Sequence, residues 1–230
     1  MQMRIVYDLE VARSGREVVE VSFDADKLVL DAPPAESLPE WAALDFCRCR
    51  NCPLEPEQHT HCPVAAQLVG IAARFGDTES HAEVTLHVRM PERVVSARTT
   101  AQAALGSLIG LVMPLSGCPR LAPLAPMARF HLPLSTHEET IYRVTSMYML
   151  TRYFDRETAS EVTPLAGLSE IYAGIQTVNQ GISDRMRQSK AFAEVNSVAI
   201  LDIYAQTMPM VIEDALEDIR HLFDRQEEVA

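Results

Sequence analysis

Apolar and polar residues alternate from the start of the chain. Met3, Ile5, Tyr7, Leu9 and Val11 fall on one side of an extended segment, and Arg4, Asp8 and Glu10 fall on the other. A period of two is the mark of a strand with one buried face. Val19, Val21 and Phe23 repeat the pattern over 17–23, after a turn at Arg13-Ser14-Gly15-Arg16. Asp24-Ala25-Asp26 reverses the chain again toward Leu28 and Leu30. These segments predict a three-stranded antiparallel meander. Ala82, Val84, Leu86, Val88 and Met90 then alternate with Glu83, Thr85, His87 and Arg89, and Pro91-Glu92 turns the chain into Arg93–Arg98. That hairpin brings the predicted sheet to about five strands, an ordinary size.

Elsewhere the period lengthens to that of a helix. Val64, Ala65, Leu68, Ala72 and Phe75 share a face, with Pro63 suited to the first helical position and Gly76 to the end. Thr99 or Thr100 is placed to cap a helix reaching about Met113. From Pro114 to Pro133 the chain is apolar without a period, and prolines 114, 119, 123, 126 and 133 argue against regular helix. Leu121, Leu124, Met127, Phe130 and Leu132 say that this connection is packed down. Ser135 or Thr136, followed by Glu138 or Glu139, forms a capping-box pattern before a helix carrying Ile141, Val144, Met147, Tyr148, Leu150 and Phe154. A second helix is predicted over about 165–189, with Leu165, Leu168, Ile171, Tyr172, Ile175, Val178, Ile182 and Met186 on one stripe. A third begins near Ala193, carries Leu201, Tyr204, Met208, Ile212, Leu216, Ile219 and Phe223, and is interrupted at Pro209. The expected fold is α+β: an antiparallel sheet of about five strands with helices on one face, a cysteine-rich metal loop, and a C-terminal helical half. Residues 1–134 would form the sheet region and 135–230 a helical region packed on it, one integrated unit.

Charge narrows the partners. With 20 basic and 32 acidic residues the formal net charge is −12. A field of that sign repels phosphate backbones and anionic lipid, which disfavours nucleic-acid and membrane-surface binding. No apolar run is long enough to span a bilayer, and the first residues do not resemble a secretory signal, so the cytoplasm is the expected location. A protein or a small molecule remains as the class of partner, with the oligomeric state open.

The strongest chemical signal is sulfur. Of five cysteines, Cys47, Cys49, Cys52 and Cys62 are clustered and Cys118 stands apart. In a reducing compartment such clustering reads as metal ligation or redox chemistry before disulfides. Cys49-Arg-Asn-Cys52 directs two thiolates at one point, Cys62 supplies a third, and Cys118, in Ser116-Gly117-Cys118-Pro119, is placed to return the fourth. His59 and His61 are alternates, and Cys47 is the spare. Cys52, Cys62 and Cys118 each precede a proline, which stiffens a ligand loop and also occurs in ferredoxin-type cluster motifs. The short repeated spacing of those motifs is absent. Zinc is therefore the first choice and a four-iron, four-sulfur cluster the alternative.

Several strings occur in an order that resembles an uncharacterised bacterial family classed as a domain of unknown function. They are Phe23-Asp24-Ala25-Asp26-Lys27-Leu28, Cys49-Arg-Asn-Cys52-Pro53-Leu54, His61-Cys62-Pro63-Val64-Ala65 and Ser116-Gly117-Cys118-Pro119. Pro126 to Pro133, Glu138-Glu139-Thr140 and Ser146-Met147-Tyr148-Met149-Leu150 continue the series. The resemblance covers nearly the whole chain. It implies Cys49, Cys52, Cys62 and Cys118 as the family's cysteine set, leaves Cys47 outside it, and brings no activity. The segment Ala193-Glu194-Val195-Asn196-Ser197 departs from the pattern.

A second candidate is acid–base chemistry by Arg129, His131 and Glu139, with Glu138 and Arg143 nearby. The plainer expectation is that a glutamate caps the helix, Arg129 pairs with a carboxylate and His131 satisfies the packed loop. Asn179 lies near the apolar stripe of the second helix, Asp202 lies between apolar residues in sequence and is expected to reach solvent on the other helix face, and His81 and His87 fall on the polar face of a strand. Phosphate-loop, dinucleotide, zinc-protease and serine-hydrolase motifs are absent from the sequence. The sequence therefore favours a binding or scaffold protein with a structural four-cysteine zinc site. An iron–sulfur redox or sensor protein, and an enzyme using Arg129, His131 and Glu139, are the alternatives.

Overall fold

The computed structural model describes residues 1–12, 15–31, 37–76, 78–154, 165–189 and 212–223. Five antiparallel strands form one sheet in the order β3-β2-β1-β4-β5. They are β1 (Gln2–Val11), β2 (Gly15–Asp24), β3 (Val29–Leu30), β4 (Glu83–Arg89) and β5 (Val94–Thr100). The alternation sets the register: Ile5 pairs with Val21 and Tyr7 with Val19, while Tyr7 and Leu9 meet Val88 and Leu86 on the other side. One face therefore gathers Met3, Ile5, Tyr7, Leu9, Val21, Phe23, Val84, Leu86 and Val88, all buried. The meander's last strand is only two residues long. The Asp24 carboxylate accepts the backbone N–H groups of Asp26 and Lys27 at 2.8 and 2.9 Å and fixes the turn before it.

Helices cover that apolar face, chiefly α1 (Pro63–Phe75), α2 (Ala101–Val112) and one side of α5 (Ala166–Gln188). The others are α3 (Ala125–Arg129), α4 (His137–Phe154) and α6 (Ile212–Arg220). Helix α2 follows β5 directly, and Thr100 Oγ1 caps it by accepting the Ala103 N–H at 3.3 Å. It touches β1, β4 and β5 and also α1. The proline-rich connection departs from expectation. Ala122–Leu124 forms a 3-10 turn and Ala125–Arg129 a short α-helix. Prolines 123 and 126 sit in the first turns of these pieces, where a missing N–H costs nothing.

One buried cluster joins the sheet, α1 and α2 to Ile175, Val178, Ile182 and Met186 of α5. A smaller one packs Val144 and Tyr148 of α4 against Leu168 and Tyr172 of α5. Helix α6 rests on α4 through Ile219 and Ile141, with Leu216 beside them. Phe223, expected on that apolar face, is exposed and stacks on Tyr142 with ring centroids 6.3 Å apart. The predicted helix start at Ala193, the Pro209 interruption, and Asn196, Leu201, Asp202, Tyr204 and Met208 lie outside the described residues.

The open face of the sheet is polar, and Asp8 is its most enclosed acid. Its carboxylate receives Nε and Nη2 of Arg16, both at 2.7 Å, and Nη1 of Arg89 at 3.0 Å. The Asp8 side chain is 7% exposed while Arg16 and Arg89 are 66% and 46% exposed, so the arginine side chains lie over it as a lid. Arg16 first, then Arg89, holds the Asp8 carboxyl well below the usual carboxylate range. A depressed carboxyl stabilises the fold above its unfolded pKa, about 4, and that contribution fades as the pH falls further. Asp8→Asn is expected to cost about 1 kcal/mol at neutral pH, the discount reflecting the exposed guanidiniums. Urea denaturation should find that difference shrinking as the pH is lowered below about 4.

Candidate metal centre

The cysteine loop begins and ends at a pinched neck. A 3-10 turn, Glu40–Ala42, drives Trp41 and Ala42 into the core. Ala43 then bridges to His61 in antiparallel fashion. Leu44 N–H donates to Thr60 O at 3.0 Å, and Cys62 N–H donates to Ala42 O at 2.9 Å. Cys47, Cys49 and Cys52 lie in the loop beyond this neck, and Cys62 lies at its closing end. Within the loop, Cys52 N–H donates to Cys49 O at 3.0 Å, the turn that lets a Cys-x2-Cys pair face one way. Arg48 braces the turn from outside by donating to Leu54 O.

Cys62 is the N-cap residue of α1, with Pro63 as the first helical residue. Its position is therefore fixed by the start of that helix. Cys118 comes from the turn after α2. Gly117 permits that turn with φ of +89°, a region costly for other residues, and Ser116 Oγ accepts the Cys118 N–H at 3.3 Å. The Cys118 sulfur is in turn approached by the backbone N–H groups of Arg120 and Leu121.

Three further contacts draw these pieces together. Arg120 Nε donates to Asn51 O at 2.7 Å, linking the Cys118 turn to the Cys49–Cys52 turn. Asn51 Nδ2 donates to Gly174 O at 2.9 Å, linking that turn to α5. One turn pair further along α5, a Cβ placed on Gly181 would lie 2.5 Å from Cys49 Sγ. Helix α5 passes the cysteine loop this closely because residue 181 has no side chain.

Burial first, then the thiols of Cys62, Cys52 and Cys118, push the Cys49 thiol up to about 11. Burial likewise raises Cys118, against the pull of its two backbone N–H partners. Cys47 is raised by burial and lies near Arg185, with φ of +51°. All five cysteines are free thiols. Among the described residues, no three Cys, His, Asp or Glu side chains are grouped as a single metal ion requires. His59 and His61 are exposed, and His61 Nδ1 meets Thr60 Oγ1 at 2.8 Å.

The second candidate group is dispersed among structural contacts. Arg129 faces Glu92 at 3.4 Å and lies over Phe130. Glu139 forms the predicted capping box: its carboxylate accepts Thr136 N–H at 2.8 Å, and Thr136 Oγ1 accepts Glu139 N–H at 3.1 Å. His131 does not serve the loop backbone. Its Nε2 meets Tyr7 Oη at 2.5 Å, and Tyr7 Oη meets Ser107 Oγ at 2.9 Å. Arg143 donates to the carbonyls of Phe130 and Met127 at 2.7 and 3.3 Å. Burial, then the charge of Arg143, lowers the His131 pKa to about 4. His81 and His87 are exposed as expected, whereas Asn179 is buried.

Three contributors escaped the reading of the sequence: Asn51, Arg185 and the glycines of α5. Each had a signal. Asn51 lies inside the Cys-x2-Cys string. Arg185 interrupts the apolar stripe seven residues after Val178, and Gly167, Gly174 and Gly181 recur every seventh residue on the same helix.

The sequence matches, over residues 5–224, the family described as a domain of unknown function (DUF6901). No curated protein and no solved structure matches the chain. Among the described residues, no helix is long and apolar enough to cross a membrane.

Two substitutions test this geometry. Gly181→Ala should displace Cys49 or α5 and lower stability by about 1–3 kcal/mol, the usual range for overpacking, whereas Gly70→Ala on α1 meets open space and should not. Thermal melts of the two variants compare them directly. His131 is a base whose folded pKa is depressed, so its neutral form stabilises the fold above the ordinary 6.5, and that contribution is lost as the pH falls toward about 4. Subtracting the stability–pH profile of His131→Gln from that of the parent should isolate a loss confined to this window.

Proposed function

The chain belongs to this family of unknown function, and we propose that it is a metal-binding protein whose centre is held by Cys49, Cys52, Cys62 and Cys118. The observation that carries this reading is the bond between the two cysteine turns, where Arg120 Nε beside Cys118 donates to Asn51 O between Cys49 and Cys52 at 2.7 Å. The four cysteines come from a closed loop, a helix N-cap and a remote turn, and the Cys49 thiol is raised by burial first and then by the other three thiols. Buried cysteines that served only as small apolar residues would not need Asn51 and Arg120 to tie their turns together. A four-thiolate set leaves no open coordination position, so the metal holds chain segments rather than activating water. Its role is to join a loop near residue 50 to a turn near residue 118, a contact otherwise costly in chain entropy. The protein then acts through its surface, as a binding or scaffold protein.

Zinc fits a closed set of four thiolates. A four-iron, four-sulfur cluster is the second reading. It is favoured by the proline after three of the four cysteines and by the backbone N–H groups directed at the Cys118 sulfur. Elemental analysis of protein purified without oxygen separates them. One zinc per chain in a colourless sample supports the first. Iron and acid-labile sulfide in equal amounts, with absorbance at about 400 nm, support the second. A folded, metal-free protein that takes up neither contradicts both. Replacing Cys49, Cys52, Cys62 or Cys118 by serine should abolish metal retention and remove about 3 kcal/mol of stability, roughly 10 °C of melting temperature in a chain of this size. Cys47→Ser should retain the metal.

A further inference from the structure

The two edges of the sheet are finished differently. Met90 N–H donates to Arg93 O and Ala101 N–H to Ala82 O, both at 2.9 Å, at the two ends of the β4–β5 ladder. With the register of these strands, those bonds place the odd-numbered residues of β5 in the ladder with β4. The N–H and C=O groups of Val94, Ser96 and Arg98, and the N–H of Thr100, therefore point away from the sheet. None of these backbone groups has a partner among the described residues. The opposite edge is partly covered by the chain itself. Ser22 O accepts the Asp31 N–H at 2.9 Å, Val18 O accepts Arg74 Nη1 at 2.8 Å, and Leu30 N–H donates to Leu115 O at 3.3 Å. Strand β5 is seven residues long, contains no proline, glycine or lysine, and pairs with β4 without a bulge. An open edge of that kind is a template for another strand.

Donors and acceptors that recur every second residue fit an extended strand. A copy of β5 laid antiparallel offers the same groups at the same spacing. Charge permits the approach. The chain carries a net charge of −12, yet Arg98 is the one ionisable side chain in β5, so two copies meet here without apposed carboxylates. We propose that β5 is the interface of a two-fold symmetric homodimer, in which it pairs antiparallel with β5 of a second copy and joins the two sheets into one. Centring the two-fold axis on Ala97 pairs Val94 with Thr100 and Ser96 with Arg98 across the axis, and it engages the free backbone groups. Centring it on Arg98 would set like charges directly opposite, which disfavours that register. On the core side Val95 and Thr99, both half-buried, meet across the axis and cover one another. The symmetry closes the assembly at two chains. No cysteine lies on this edge, so the pairing is independent of the metal centre.

The test uses the full chain. Sedimentation equilibrium should show the parent associating to two chains as its concentration rises. Ser96→Pro and Arg98→Pro each delete an outward N–H and no bond to β4, a position where an edge strand tolerates proline. Each variant removes a bond on both sides of the axis and should weaken association about 10–100-fold. Arg98→Gln keeps the N–H and should associate like the parent, which separates the backbone from the charge. Should the proline variants misfold, the parent alone decides: amide hydrogen exchange in fragments covering 94–100 should slow at the concentrations where the dimer forms. A parent that stays monomeric at every concentration overturns the proposal. So does a dimer that the folded proline variants retain, that Arg98→Gln loses, or that leaves exchange at 94–100 unchanged. Assembly beyond two chains overturns it as well, because the two-fold pairing uses up the edge.

Discussion

Helix α5 has to lie against a loop that has little regular structure of its own, and most of the molecule's arrangement follows from how that contact is made. The helix offers two kinds of surface side by side. Ile175, Val178, Ile182 and Met186 enter the main core with the sheet, α1 and α2. Gly167, Gly174 and Gly181 form a bare stripe along which other groups come close: Tyr148 Oη at the first, Asn51 at the second, Cys49 Sγ at the third. Apolar burial supplies the driving force, and the missing side chains set the separation. Beside them, Arg185 fastens the helix to the carbonyl groups of Trp41, Ala43 and Leu44 at the neck.

The sheet supports this contact from below. Its alternating strands gather one apolar face, and that face is large enough to carry α1 and α2 together. Those two helices are also what present Cys62 and Cys118, one at the N-cap of α1 and the other in the turn following α2. The positions of two sulfurs are therefore inherited from the core packing of the helices that flank them. The remaining two depend on the loop, and the loop depends on its neck and on Asn51. Polar contacts do the aligning here, because the loop has no repeating pattern of its own to bury.

Much of this was legible in the chain. Alternation in β1, β2 and β4 identified the strands and their buried face, since a period of two leaves little choice of register. Proline and threonine marked the starts of α1 and α2, and Thr136 with Glu139 marked the start of α4. The proline-rich connection misled in part. Prolines break a helix when they fall inside it, but Pro123 and Pro126 fall in first turns, and spacing alone does not reveal where a turn begins. The cysteines identified the region of interest. Their surroundings were less visible: Asn51 and Arg120 make their bonds across long separations in sequence, and Arg185 was passed over because arginines are ordinarily exposed. The acid–base group around His131 was suggested by nearness in the sequence, while the structure gives Arg129, His131 and Glu139 three different partners.

The paired backbone at Ala43 and His61 has an effect on how this loop can change over time. Because Leu44 and Thr60 close the base of the loop directly, the path from Pro56 to His59 runs outside the bonds that brace the cysteine turn and the neck. Residues there can be added, removed or exchanged with the strain confined to the outer rim. The loop is thus free to acquire new surface character, such as an altered charge or a longer arm, while the geometry beneath it stays as it is.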